Sequence, residues 1–295
     1  MSAFARALVM VALAAAGPVA AQTIDPVAVR QPGFFKGDPV PESSGVTRSR
    51  RFPGLFWTIN DSGNPATVFL IDTLAQVRGA VSTRLINRDW EAIGGAPCGA
   101  EWCLYIADTG DNRAIRPFVT VYRFPEPTEA QLASGGGDLR ADSVVVRYEG
   151  GPRDVEAMAV TGSGGFGLIS KGQSGQAAVY WVGPEAWKTG TALAKPIWKL
   201  PFGTSLLLAK LVTDAALSPD ERLLAVRTYR EIHLFERSGS GPLPSRHLGS
   251  CGIRGLEPLG EGIGWLDDST LVLTSESSRL VAGPLTLLQC PVRAR

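Results

Sequence analysis

The sequence predicts an all-β fold, and a β-propeller of five blades is its simplest form. A group of three or four short strands recurs five times, at steps of 47 to 65 residues, which is the period of propeller repeats. Helix signals are almost absent, and 34 glycines and 21 prolines separate runs rich in β-branched and aromatic residues. Six blades would form if the segment 23–33 combined with the tail, and a β-sandwich is the other alternative. We expect instead that segment 23–33 adds one strand to the last blade and closes the ring.

Each repeat starts with an acidic residue that is followed by a small or apolar one. In a propeller the first strand of each blade lines the central channel, and the second strand runs back antiparallel to it. The start of the first strand and the end of the second therefore lie on one face of the disc. The predicted inner ring is Glu42, Glu91, Glu156, Asp214 and Glu261. The predicted second ring is Asn60, Asp61, Asp108, Lys171, Arg227 and Glu276.

Residues 1–21 have the pattern of a secretory signal peptide. Arg6 supplies a positive charge, residues 7–16 are apolar, and Ala21 ends a run of small residues. We expect cleavage near Ala21, export to the periplasm or the extracellular medium, and a single propeller domain over residues 22–295. The apolar run is shorter than the roughly 20 residues of a membrane span, and no later stretch reaches that length.

The charge balance argues against a nucleic-acid partner. Removal of Arg6 leaves 28 of the 29 basic residues, and these balance 28 acidic residues. Proteins that bind nucleic acid need clustered Lys and Arg, and this sequence has no such cluster.

The four cysteines of an exported chain are expected to form disulfides. Cys98 and Cys103 flank a short turn between two predicted strands, so we expect a local bridge between them. Cys251 and Cys290 would then pair and hold the last repeat together. The spacings do not form the paired knuckles of a zinc site.

Carboxylates gathered around one axis repel one another and need compensation. Lys171 and Arg227 can neutralise them in a structural network. Alternatively, the acids can accept hydrogen bonds that join neighbouring blades, or they can bind a hard cation such as Ca²⁺. Because acids outnumber bases in the two rings, the face is expected to be electronegative and to favour cations, sugars or cationic groups.

Two loops occupy the same position in successive repeats, NDSGNP (60–65) and DTGDNR (108–113). Each offers carboxylate, amide and hydroxyl oxygens beside a glycine. Such loops can bind a cation, and ordinary Asx turns have the same composition. Their candidate metal ligands are Asn60, Asp61, Asp108 and Asp111.

The segment LYIADTGDNRAIRPFVTVYRF (104–124) resembles an NHL repeat, in which an apolar strand leads to Asp-Thr-Gly, Asn, Arg and a second strand. The acid-led strands are similar to those of gluconolactonase-type and phytase-like calcium propellers. These resemblances imply the NHL/TolB-like propeller superfamily and a Ca²⁺ site over the channel, but no particular reaction. The ligands they imply are Glu42, Asn60, Glu91 and Asp108.

Other motifs do not identify a reaction. The stretch 162–167 fits a GxGxxG pattern, but it lies in a turn between strands and opens no helix, so it does not indicate a dinucleotide site. His233 lies in the middle of a predicted strand and His247 in a turn, without a recognisable nucleophile beside them. Trp90, next to Glu91, either stacks a sugar or an aromatic ligand at the channel mouth or packs inside a blade.

Two functions of different classes follow from this pattern. The first is an exported binding or scaffold protein whose acidic central channel holds a small molecule or a protein partner. The second is a calcium-assisted hydrolase of a lactone, ester or phosphoester, with one channel carboxylate as general base.

Overall fold

The regular structure consists almost entirely of short strands. The computed structural model describes residues 23–292, except 37, 138, 174, 204–207, 278 and 279, so the predicted signal peptide lies outside the described residues. The helical elements are α1 (Glu129–Ser134), α2 (Ala186–Thr189) and a 3₁₀ turn (Leu208–Lys210). The strands are, in chain order, β1 (Thr23–Ile24), β2 (Ala28–Phe34), β3 (Ser43–Arg48), β4 (Phe56–Asn60), β5 (Thr67–Ile71), β6 (Val77–Ser82), β7 (Trp90–Cys98), β8 (Glu101–Asp108), β9 (Val119–Pro125), β10 (Asp142–Tyr148), β11 (Val155–Val160), β12 (Phe166–Ser170), β13 (Gln176–Val182), β14 (Thr191–Gly203), β15 (Val212–Leu217), β16 (Leu223–Thr228), β17 (Glu231–Glu236), β18 (Arg246–Gly252), β19 (Leu259–Trp265), β20 (Leu271–Glu276) and β21 (Pro284–Gln289).

The strands form successive antiparallel units of four. Unit 1 is β3–β6, unit 2 is β7–β10, unit 3 is β11–β14, and unit 4 is β15–β18. Unit 5 is β19–β21 completed by β2 from the N-terminus. In this pairing Ala28 lies opposite Gln289 and Phe34 opposite Pro284, so the strand expected from segment 23–33 does join the last unit.

Two further pairings connect the units. The outer strands β10 and β14 run parallel, with Val145 opposite Thr191, and they merge units 2 and 3 into one eight-stranded sheet. The two-residue strand β1 pairs in parallel with β18, which gives unit 4 a fifth strand.

The first strands of the units contact one another in a cycle. Strand β3 contacts β7, β7 contacts β11, β11 contacts β15, β15 contacts β19, and β19 contacts β3. Apolar side chains fill the spaces between neighbouring units, because each sheet is apolar on both faces. One cluster joins units 1 and 2 through Trp57 and Ile93, and another joins units 5 and 1 through Leu285 and Phe69. Corresponding clusters lie between units 2 and 3, 3 and 4, and 4 and 5.

Every first strand carries a β-bulge near its start. The bulges interrupt the register with the second strand at Ser44, Glu91, Glu156, Thr213 and Glu261. A bulge inserts one extra residue and turns its side chain out of the regular alternation. These five positions are therefore equivalent, although only three of them are acidic.

The described residues contain two disulfides, and both have the predicted pairing. Cys98–Cys103 closes the hairpin between β7 and β8. Cys251–Cys290 joins β18 of unit 4 to the segment after β21 in unit 5. None of the described helices has the length and the apolar character that a membrane crossing requires.

Candidate functional site

Glu91 and Glu156 lie close to each other where the first strands of units 2 and 3 begin. They occupy equivalent bulges in units 2 and 3, and both are almost completely buried. Burial, followed by the charges of Glu156, Asp61 and Asp89, raises the pKa of Glu91 well above its ordinary value. Burial also raises the pKa of Glu156 to about 8, although Lys171 opposes that shift. The Lys171 Nζ donates to Glu156 Oε1 at 2.8 Å, whereas no ion pair reaches Glu91 within the described residues.

Glu91 also forms a cluster of three carboxylates with Asp61 and Asp89. One oxygen atom from each of Asp61, Asp89 and Glu91 can be chosen so that all lie within 4.8 Å of one another. Burial raises the pKa of Asp89 to about 6, and the neighbouring Asp61 adds to the shift. Burial raises the pKa of Asp61 as well, against a hydrogen bond from the Ser62 backbone N–H. Oxygens at this separation match a hard cation, since two Ca–O bonds of about 2.4 Å span about 4.8 Å across the ion.

Gly110 makes room for these carboxylates. A Cβ atom at this position would overlap Glu91 Oε1 and the carboxyl group of Asp89. Gly110 belongs to the loop DTGDNR, whose backbone N–H groups of Thr109 and Gly110 donate to the Asp89 carbonyl at 3.1 and 3.2 Å. The loop therefore packs directly against the three-carboxylate cluster, and only glycine fits at position 110.

Glu261 and Glu276 extend the acidic surface into unit 5. Burial, followed by the charge of Glu156, raises the pKa of Glu261 to about 8. The Tyr229 hydroxyl donates to Glu261 Oε1 at 3.1 Å. Burial raises the pKa of Glu276 to about 7, with contributions from Asp61 and Glu42. These shifts show that unit 5 and unit 1 contribute to the same electrostatic group as units 2 and 3.

Asp108 and Asp111 stabilise the loop rather than facing the cluster. Arg116 forms an ion pair with Asp108 at 3.0 Å, and its backbone N–H donates to Asp111 Oδ2 at 2.7 Å. The Asp111 backbone N–H donates to Asp154 Oδ1 at 2.9 Å. The second oxygen of Asp154, Oδ2, is buried without a hydrogen-bond partner in the described part of the chain. Asp154 acts on the pKa of Asp89 and of Glu156, so its unpaired oxygen belongs to the acidic group.

In unit 1, Glu42 directly precedes β3 and Asn60 is the last residue of β4. The Asn60 side chain accepts from the Glu42 backbone N–H at 3.2 Å and donates to the Pro39 carbonyl at 2.9 Å. Asn64 donates to Glu42 Oε2 at 2.6 Å. The amide of Asn60 is thus used inside the loop, whereas the half-buried Glu42 carboxylate lies at the edge of the acidic group.

Three predicted site residues lie elsewhere. Trp90 has no exposed surface, donates to the Ile86 carbonyl at 2.9 Å and packs between units 1 and 2, so it does not line the channel mouth. The bulge at Thr213 turns Asp214 away from the ring, and its carboxylate accepts from the backbone N–H groups of Ala215 and Ile263.

Arg227 is the third of these residues. It is completely buried and forms an ion pair with Glu257. It also donates to the Gly262 carbonyl at 2.6 Å, so it ties unit 4 to unit 5. Both Arg227 and Asp214 therefore join neighbouring units, which is the structural role that was one of the alternatives for the ring.

Asp89, Asp154 and Tyr229 belong to the site but were missed from the sequence. A signal for the two aspartates was present, because RDWEA (88–92) and RDVEA (153–157) repeat the same five-residue pattern. In both repeats the aspartate stands directly before the first strand and two residues before the glutamate. This recurrence was itself a reason to include Asp89 and Asp154. Tyr229 has no such repeat and could be found only from the structure.

The comparisons with known proteins support the fold. No protein family matches the sequence, and no curated protein matches it. The structure is similar to the PQQ-bound aldose sugar dehydrogenase from Streptomyces coelicolor, with a TM-score of 0.52 and 11% identity over 88% of this chain and 98% of that chain. It is also similar to the luciferin-regenerating enzyme, with a TM-score of 0.49 and 11% identity over 90% of this chain and 95% of that chain. At such low identity the first likeness shows a β-propeller-type fold alone, and no sequence family stands behind the NHL/TolB-like resemblance.

Proposed function

We propose that this protein is an exported five-bladed β-propeller that binds a divalent cation, Ca²⁺ by preference, at the mouth of its central channel. The cation would hold an oxygen-rich small molecule or a protein side chain at the acidic face. The observation that carries the proposal is the meeting of Asp61, Asp89 and Glu91, whose carboxylate oxygens lie within 4.8 Å of one another.

The cycle of first-strand contacts supports the blade count. Each of the units 1 to 5 contacts the next one, and unit 5 returns to unit 1 with an apolar cluster between them. We infer one domain over residues 22–295, with β2 as the strand that closes the ring against β21. Two disulfides are consistent with export to the periplasm or the extracellular medium after cleavage near Ala21.

The raised pKa values favour a cation over a purely structural network. A network built for stability would give each carboxylate a donor, as Arg227 does for Glu257. Around Asp61, Asp89 and Glu91, burial and then the charges of neighbouring carboxyls instead raise the pKa values of all three groups. A hard cation would favour the ionised carboxylates and take their oxygens as ligands.

The test is a melting scan of the EDTA-treated protein with added Ca²⁺, Mg²⁺ or no metal, together with calorimetric titration of Ca²⁺. A ligand that binds the folded state raises the melting temperature as its concentration exceeds Kd. We expect a rise with Ca²⁺ that is larger than with Mg²⁺, because Ca²⁺ tolerates an irregular set of oxygen ligands. A melting temperature that is the same under all three conditions would refute the proposal.

A second candidate function is cation-assisted hydrolysis of a lactone, ester or phosphoester. It is favoured by Glu156 and Glu276, whose pKa values of about 8 and about 7 lie in the range of a general base that works near neutral pH. The aldose sugar chemistry named for the Streptomyces protein is not transferred, since the likeness concerns the fold.

Hydrolysis of p-nitrophenyl acetate, p-nitrophenyl phosphate and a γ-lactone, measured with and without Ca²⁺, separates the two functions. Metal-dependent turnover that is lost in Glu156→Gln would favour the hydrolase. Ca²⁺ binding without turnover of any of the three substrates would favour the binding function over the hydrolase.

A further inference from the structure

The opposite end of the central channel contains a cavity of about 220 Å³. Its lining comes from the later residues of all five first strands, among them Thr47, Ala96, Val160, Ala216 and Gly264. The acidic group stands at the beginning of the same strands. With a rise of about 3.3 Å per residue, the six residues from Glu91 to Pro97 separate the two ends by roughly 20 Å.

This second mouth, defined by the cavity lining, has the reverse chemistry of the acidic mouth. Trp102, Trp265 and Leu217 contribute apolar surface to its wall. Arg48 and Arg50 lie at its rim, and neither side chain forms an ion pair within the described residues. The lining also includes an acid, Glu221, which is already engaged: it accepts from the Gly162 backbone N–H and lies 3.8 Å from Arg237.

The indole of Trp102 belongs to the lining of this cavity and has an unused donor. Its Nε1 is buried and has no hydrogen-bond partner among the residues that the structure describes. The ring lies against Gly95, where a Cβ atom would come within 2.9 Å of Nε1. By contrast, the indole of Trp265 already donates to the Ala216 carbonyl at 3.1 Å. An unsatisfied buried donor carries a free-energy cost that an acceptor atom would remove.

We propose that the second mouth binds a small carboxylate with a flat apolar body. The body would lie against the two indole rings, and Arg48 and Arg50 would neutralise the charge. A small shift of the Trp102 ring would expose its buried Nε1, which would then donate to one carboxylate oxygen. The volume limits the ligand to about one or two rings, because pockets for drug-sized molecules start at about 300 Å³. This proposal is independent of the proposed cation site, so either proposal can be refuted without the other.

The charge preference can be tested with three probes of similar size and different charge: phenylacetate, phenylacetamide and phenethylamine. Ligand-observed NMR and tryptophan fluorescence on the wild-type protein measure their binding at millimolar concentration. We expect phenylacetate to bind at least about tenfold more tightly than either analogue, since hydrogen bonds to charged groups contribute more than neutral ones. Equal binding of the three probes, or no binding of phenylacetate, overturns the proposal.

Variants then locate the site. Arg48→Gln combined with Arg50→Gln is expected to weaken phenylacetate binding about tenfold or more. Trp102→Phe keeps an aromatic ring but removes the donor, and it should also weaken binding. The control is Arg140→Gln, an equal loss of charge at an exposed position away from the cavity. If the double arginine variant and Trp102→Phe are both folded, as judged by their melting temperatures, and both bind phenylacetate as tightly as the wild type, the assignment is refuted. Addition of Ca²⁺ should not alter phenylacetate binding.

Discussion

Glu91 lies between like charges on two sides, Glu156 in the next unit and the pair Asp61 and Asp89 in the loop region. Burial and these neighbours raise the pKa of its carboxyl well above the ordinary value. A glutamine has nearly the same shape and cannot ionise. The single position therefore distinguishes repulsion that a ligand must relieve from contacts that hold the fold.

We predict that Glu91→Gln raises the melting temperature of the metal-free protein at about pH 8 and weakens Ca²⁺ binding at least about tenfold. The melting temperature rises because a carboxyl that resists ionisation is replaced by a neutral group. Calorimetric titration and melting scans in EDTA measure the two effects. Glu101→Gln, at the exposed first residue of β8, makes the same side-chain replacement and should change neither. A lower melting temperature for Glu91→Gln with intact Ca²⁺ binding would assign the residue a structural role.

Gly110 gives a second prediction at the scale of one residue. In Gly110→Ala the new methyl group must displace the carboxyls of Asp89 and Glu91. We expect a loss of Ca²⁺ binding and a destabilisation of about 1–3 kcal/mol, the usual cost of overpacking. The control is Gly175→Ala, because a Cβ at Gly175 meets open space. Urea unfolding and Ca²⁺ titration of both variants measure the difference, and similar behaviour of the two would contradict the packing at Gly110.

At the scale of strands, the repeat made the first, second and third strands of each unit predictable, because apolar runs between turn residues are a strong signal. The outer strands were harder. The apolar runs SVVVRYE (143–149) and KPIWKLP (195–201) are strand signals and fall in β10 and β14, whereas β6 and β18 carry no comparable run. Outer strands bury less surface, so their sequences are more polar: β18 begins with Arg246 and His247, which are not fully buried.

The bulges explain why the ring of acids was only partly predictable. The recurrence of an acid before a small residue placed Glu91, Glu156 and Glu261 correctly at equivalent positions. In units 1 and 4 the bulged residues are Ser44 and Thr213, whose hydroxyls donate to the backbone carbonyls of Glu91 and Glu261. A shift of one residue reverses the side of a strand on which a side chain lies. Sequence spacing alone does not fix that register, so Asp214 was assigned to the channel and Asp89 was not.

The two disulfides give a prediction at the same scale. Cys98–Cys103 closes a loop with a sequence separation of 5, and Cys251–Cys290 closes one of 39. The chain-entropy estimate gives stabilisations of about 2 and about 4 kcal/mol. We expect Cys251→Ser with Cys290→Ser to reduce the free energy of unfolding by about twice as much as Cys98→Ser with Cys103→Ser, as measured by urea unfolding. Equal losses would show that strand pairing, and not the bridge, holds unit 5 to unit 4.

At the scale of the whole molecule, the five units place most of the titrating carboxyls on one face, so stability must depend on pH. Glu156, Glu261 and Glu276 have pKa values of about 8, about 8 and about 7, above the ordinary value of 4.5. Between the unfolded and the folded pKa the folded protein binds more protons than the unfolded chain. Its stability therefore falls as pH rises through this window, by about 1.4 kcal/mol per pH unit for each carboxyl that stays protonated.

Between about pH 6.5 and about pH 8 the histidines no longer affect the pH dependence of the free energy of unfolding. Below this range the two histidines act in the opposite direction, since burial lowers the pKa of His233 and brings that of His247 to about 4. A buried neutral histidine makes stability rise with pH until the unfolded value near 6.5 is passed. Above that value only the carboxyls contribute, so we predict that the free energy of unfolding in EDTA decreases from about pH 6.5 to about pH 8.

Ca²⁺ should reverse this trend. A bound cation favours the ionised carboxylates, so its affinity rises as protons leave, and binding releases protons to the buffer. Urea unfolding at several pH values, with Ca²⁺ and with EDTA, gives the two curves, and calorimetry in buffers of different ionisation enthalpy counts the protons. The curves should diverge above about pH 6.5 and converge towards lower pH. Stability in EDTA that is constant or increasing over that range would show that the carboxyls at the channel mouth are already ionised in the folded protein, and that their mutual repulsion is not what a cation would relieve.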